Sequence, residues 1–94
     1  MPVENYHDQL VEQLKDIDEA AAYLTACLDE SEEVFLTALR QVAEAHGGVG
    51  ELAKSTELNR EGLYRMLSKE GNPKLYSLSS VLDSFGIKIT FEAA

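Results

Sequence analysis

Capping and helix-breaking residues recur at short intervals along this sequence, and they confine it to a bundle of short helices. Asp16, Ser31 and Asn59 are side chains that accept from orphan backbone N–H groups at helix starts. Gly47-Gly48, Gly71-Asn72-Pro73 and Gly86 are stops or turns. Between these marks, apolar residues return at spacings of three and four, the period of a helix with one buried face. Leu10, Val11 and Leu14 predict a short helix over 7–15. Asp16 to Glu19 reads as a capping box, Asp16 accepting from the backbone and Glu19 reaching back. It opens a helix over about 17–28 with Ala20, Ala21, Tyr23, Leu24, Cys27 and Leu28 as its apolar set. Val34, Phe35, Ala38, Leu39, Val42 and Ala43 form the clearest amphipathic pattern, with Ser31 as cap and Glu32 and Glu33 at the positive end of the helix. Two short helices, about 50–56 and 60–68, flank Glu57-Leu58-Asn59. Leu75, Leu78, Val81, Leu82 and Phe85 mark the last one. The fold class is mainly α, a bundle of five to six helices.

The end of the chain departs from this pattern. Ile87-Lys88-Ile89-Thr90-Phe91-Glu92 alternates apolar and polar residues, which predicts a strand. A strand needs a partner for its N–H and C=O groups, and no second strong candidate exists in the sequence. The economical partner is the same segment of a second copy, with Ile87, Ile89 and Phe91 joining a two-fold dimer. The alternatives are a tail packed alone on the helices, or a short pairing near Val3.

Size and charge narrow the function. A chain of 94 residues makes one domain with little room for a deep substrate cleft. Cys27 is the only cysteine, so no internal disulfide forms, and beside Leu24 and Leu28 it reads as a small buried hydrophobe. The acidic, polar start is unlike a signal peptide, and no stretch reaches the roughly 20 apolar residues of a membrane helix. These features predict a cytoplasmic protein away from membranes. The net charge of −9 is unevenly spread. Residues 1–33 carry ten acids and one base, whereas residues 54–74 carry five bases (Lys54, Arg60, Arg65, Lys69, Lys74) against three acids. Screening acts over about 8 Å in physiological salt, so the local field matters more than the total.

Residues 49–68 carry the motif. Two short helices crossing steeply need a small residue where they touch, and Ala53 supplies it. Leu52, Leu58, Leu63 and Met66 fill the space beneath. Asn59 caps the second helix. That leaves Asn59, Arg60, Glu61, Tyr64, Arg65 and Ser68 facing outward. Arg forks onto guanine and Asn onto adenine, while Tyr64 suits a thymine methyl or a phosphate. Lys54, Lys69 and Lys74 suit phosphates, which position a protein on DNA without specifying sequence. The competing reading is an ordinary pair of packed helices with a solvated face.

Residues 49–85 resemble the helix-turn-helix of the phage Cro and repressor family, including the Gly-Asn-Pro turn and the Leu-rich helix after it. More specifically, Glu19-Ala20-Ala21-Ala22-Tyr23-Leu24, Phe35-Leu36-Thr37-Ala38-Leu39-Arg40, His46-Gly47-Gly48, Leu52-Ala53-Lys54, Arg60-Glu61-Gly62-Leu63-Tyr64-Arg65 and Gly71-Asn72-Pro73 resemble the addiction-module antidote proteins, over about residues 15–91. The resemblance implies an antitoxin of a type II toxin–antitoxin pair. It implies a dimer that binds its own operator DNA and represses its operon, and that blocks a small basic mRNA-cleaving toxin of the RelE/HigB-like class. Glu57 departs from the broader pattern, which favours Gly in the turn; a positive φ there would strain it.

On this reading, residues 1–30 are an acidic helical arm, and 31–94 are the helix-turn-helix domain with a C-terminal dimerisation strand. Asp18, Glu19, Asp29, Glu30, Glu32 and Glu33 are the candidate surface for a basic toxin, and the plainer alternative for the run 29–33 is a cap and solvated corner. Gly47-Gly48-Val49-Gly50 lacks the Lys and Ser/Thr of a phosphate loop and follows no strand. His7 and His46 have no partner at metal spacing, and no catalytic triad is recognisable, so no metal, cofactor or enzymatic activity is expected. The rival functions are a stand-alone phage-type repressor without a toxin, and a protein-interaction domain that no longer binds DNA.

Overall fold

The computed structural model describes residues 6–68 and 70–94, and among them six helices: α1 (Tyr6–Gln13), α2 (Ile17–Glu30), α3 (Glu32–Ala45), α4 (Gly48–Thr56), α5 (Arg60–Met66) and α6 (Leu75–Phe85). The predicted caps place their starts. Asp16 accepts from the Glu19 N–H at 3.1 Å, Ser31 from the Val34 N–H at 3.1 Å, and Asn59 from the Gly62 N–H at 2.6 Å. Half of the predicted capping box is replaced. The Asp16 N–H already donates to the Gln13 carbonyl, so the Glu19 carboxylate accepts from the Gln13 side-chain amide instead.

The glycines end helices by geometry. Gly47 takes φ +103° behind α3, where a Cβ would also collide with the Glu51 side chain. At Gly71 a Cβ would run into the Met66 carbonyl oxygen, so the turn before Pro73 has room only for glycine. α4 starts at Gly48, earlier than predicted, and Gly48 still takes φ +81°, so the two glycines together make the turn out of α3.

One core joins all of this. Ala20, Leu24 and Cys27 of α2 bury against α3, whose Ala38, Leu39 and Val42 are fully enclosed. The same cluster takes in Leu14, Leu52, Leu63, Met66, Val81 and Phe85, so it draws on both sides of residue 30. Tyr23 is half-buried and donates to the Gln41 side chain at 2.7 Å. His46 Nε2 meets the Leu14 carbonyl at 3.0 Å, and its ring lies 5.1 Å from Phe85. A carbonyl can only accept, so that nitrogen carries the proton. One histidine thereby ties the ends of α1, α3 and α6.

The strand predicted over 87–92 is a correction. Among the described residues there is no strand, and the tail after Gly86 is irregular. The alternation is used differently. Ile87 and Ile89 pack half-buried on the core, while Lys88 and Thr90 face solvent. A strand exists only with a ladder partner, and the chain offers it none among these residues. Phe91 is left 92% exposed.

Burial pushes the Cys27 thiol up from its ordinary range, against the opposing effect of its hydrogen bond with Tyr23. Folding therefore favours the neutral thiol. That stability is fully present below the unfolded thiol's pKa of about 8.5 and is lost as pH rises through the elevated value. Urea melts at pH 7 and pH 10 should show an alkaline loss that Cys27→Ala partly removes; an unchanged loss would mean the thiol contributes nothing.

Candidate nucleic-acid interface

α5 is a helix of seven residues, too short to hold itself, so its neighbours must fix it. Leu63 and Met66 anchor its inner side, buried to 1% and 6% exposure. Asn59 caps its start. At its end the Leu67 carbonyl accepts from the Arg40 guanidinium at 2.8 Å. Arg40 also donates to Thr37 at 3.4 Å, so one half-buried arginine fastens α5 to α3 and sets a positive charge at the negative end of α5. The sequence reading missed this role. The available signal was a lone base on the flank of the most amphipathic helix.

The turn from α4 into α5 is also locked. Thr56 donates to the Leu52 carbonyl at 2.6 Å and accepts from the Leu58 N–H at 3.2 Å. Between them Glu57 takes φ +64°, the left-handed conformation that the departure from Gly put in question. A side chain costs about 1–2 kcal/mol in that region. Glu57→Gly should therefore stabilise the fold by about 1 kcal/mol, whereas Glu57→Ala, which keeps the Cβ, should not. Denaturant melts of the two variants separate strain from charge; equal gains would assign the effect to charge.

At about 100° per residue, Arg60, Glu61, Tyr64 and Arg65 of α5 fall within about 140° of one another on the side away from Leu63 and Met66, and Ser68 follows just past the end of the helix. All are exposed except Ser68, which is half-buried and donates to the Arg65 carbonyl at 2.7 Å. Tyr64 is 63% exposed. Arg65 leans on Glu61 at 3.4 Å, and Lys54 on Glu51 at 3.7 Å. Both pairs are exposed and weak. The Arg60 guanidinium lies beside Gly50 of α4.

Four of the outward residues border two hollows, and Arg60 and Glu61 border neither. Asn59 and Arg65 border one of about 340 Å³ together with Asn72, Lys74 and Ser77. Tyr64 and Ser68 border another of about 400 Å³ with His7, Arg40, Gln41 and Glu44. Lys74 thus joins Arg65 on one side of α5. The Asn59 oxygen is engaged as the cap, so this residue sets the start of α5 whatever its amide nitrogen meets. Lys69 lies outside the described residues. Asp18, Glu19, Asp29, Glu30, Glu32 and Glu33 are exposed on α2 and α3, and none lines either hollow. Among the described residues no group of three or more His, Cys, Asp or Glu is placed to hold a metal ion, and no helix is long and apolar enough to cross a membrane.

The family model described as "probable addiction module antidote protein" matches residues 4–93. The chain belongs to the addiction module antidote family. The match takes in every helix from α1 to α6. A Haemophilus influenzae protein described only as uncharacterized is 33% identical over 89 residues, covering 84% of this chain and 91% of that protein. No solved structure matches. Membership makes this antidote the antitoxin side of a toxin–antitoxin pair, and it implies a toxin as partner.

Proposed function

We propose that this antitoxin also binds DNA, with α4 and α5 as a Cro/repressor-like helix-turn-helix and α5 as the reading helix. The observation that carries the reading is the orientation of α5: its apolar side is held by the core and by Arg40, and its polar side stands in solvent. Arg60 and Arg65 are assigned to base edges, Tyr64 to a base or a phosphate, and Lys54, Lys69 and Lys74 to phosphates. Glu61 suits a cytosine amino group. The chain acts as a dimer on its own operator, represses its operon, and blocks a basic RelE/HigB-like toxin with its acidic N-terminal third. It works in the cytoplasm and has no catalytic activity of its own. The dimer contact is assigned to the C-terminal tail, where Phe91 is the exposed apolar residue that it would cover.

Family membership weighs against a stand-alone phage-type repressor. The deciding experiment has two arms. Fluorescence anisotropy with the DNA upstream of the gene should show sequence-specific binding that weakens steeply with salt. Co-expression with the product of the adjacent reading frame should restore growth. Binding that is equal for unrelated DNA would remove the repressor role, and failure to restore growth would remove the toxin-neutralising one.

A further inference from the structure

Helix α2 leaves an apolar ledge partly uncovered, with Ala21 half-buried and Ile17 lying against Gly86 at one end. Its buried stripe of Ala20, Leu24 and Cys27 faces the core. Beside that stripe, Ile17, Ala21 and Leu28 fall within about 40° of one another at about 100° per residue. Ile17 and Leu28 are 45% and 54% exposed. Next around the helix come Asp18 and Asp29, and Glu30, Glu32 and Glu33 close the far end where α2 turns into α3. Among the described residues no Lys or Arg makes an ion pair with any of these five acids.

Glu32 and Glu33 sit at the positive start of α3, and Asp29 and Glu30 lie just before it in the last turn of α2, so all four acids flank the shared cap Ser31.

Charge decides what covers the ledge. Nucleic acid and anionic lipid are repelled by it, and a second copy would bring a second row of acids against the first. A basic partner is attracted, in a region where ten acids face one base over residues 1–33. We propose that the outer face of α2 is the docking surface for a basic amphipathic helix of the toxin. Its apolar stripe lies on Ile17, Ala21 and Leu28, and its Lys and Arg residues meet Asp18, Asp29 and Glu30. α2 has 14 residues, about 21 Å of axis, enough for about four turns of a partner. This inference rests on the antidote reading and narrows its acidic N-terminal third to one face of α2.

The test uses the full chain and two synthetic peptides of Lys and Leu, one with its leucines on a single helical stripe and the other a scrambled isomer. The striped peptide should bind about tenfold tighter. Leu28→Asp should abolish that preference although it adds negative charge, which excludes weaker general attraction as the cause. Asp29→Lys should weaken both peptides while leaving Tm within about 2 °C of the native chain, so lost binding cannot be ascribed to unfolding. In cells that co-express the adjacent reading frame, Leu28→Asp should fail to restore growth while still binding operator DNA. Equal affinity for the two peptides, or a preference that survives Leu28→Asp, overturns the docking surface. Rescue by Leu28→Asp overturns it too and leaves the antidote reading standing. A wild-type chain that does not rescue growth overturns both.

Discussion

Leu63→Ala is expected to remove about 3 kcal/mol of stability, and Tyr64→Ala close to none. The two residues are neighbours on one short helix, so local helix propensity cannot separate them. Their surroundings do. Leu63 is 1% exposed within the common core, whereas Tyr64 is 63% exposed. Truncating a buried leucine loses its transfer energy and leaves a cavity, together about 2–5 kcal/mol. A chain of this size has about 5–14 kcal/mol in total, so the variant would remain folded at room temperature with a clearly lowered urea midpoint. The pair measures the rotation of α5 about its axis. Similar losses for both variants would mean that the helix is turned from the orientation described, and the set of residues offered to DNA would change with it.

That orientation was legible in the sequence because it follows from local rules. The caps Asp16, Ser31 and Asn59 and the stops Gly47-Gly48 and Gly86 place the helix ends, and the spacing of apolar residues picks the buried faces. What the sequence did not reveal depends on residues far apart in the chain. Arg40 and the Leu67 carbonyl are 27 positions apart, and His46 and the Leu14 carbonyl 32. No window of local pattern contains both members of either pair. The tail misleads for a related reason. Alternation over 87–92 records an apolar set, of which Ile87 and Ile89 are half-buried and Phe91 is exposed, and it does not record whether a ladder partner or the helices do the burying. The turn at Glu57 is an intermediate case: the unusual residue was visible, but its φ was not. The outward set around α5 was named from periodicity alone, yet the placing of Asn59 and Arg65 in one hollow with Lys74 needed the packing of α6.

Arg60→Ala and Arg65→Ala are each expected to weaken operator binding by about 1–3 kcal/mol, roughly 5- to 150-fold, and to relax preference at a base pair. The alternative is that these arginines are occupied within the protein and contribute nothing to recognition. Magnitudes argue against it. The Arg65–Glu61 contact is 3.4 Å long between side chains that are 76% and 86% exposed, and an exposed pair at this spacing is worth about 0.3–0.5 kcal/mol. A forked contact to guanine exceeds that several-fold, so DNA can draw Arg65 away from Glu61 at small cost. Lys54→Glu provides the contrast. A phosphate contact has no sequence preference, so this substitution should weaken all DNA alike and flatten the dependence on salt. Anisotropy with the operator and with single-base variants of it reads both behaviours. If each arginine variant binds the operator as tightly as the native chain, α5 is not the element that reads it. If instead they lose affinity uniformly, as Lys54→Glu should, the arginines hold the backbone and the source of specificity must lie in other residues of the same face.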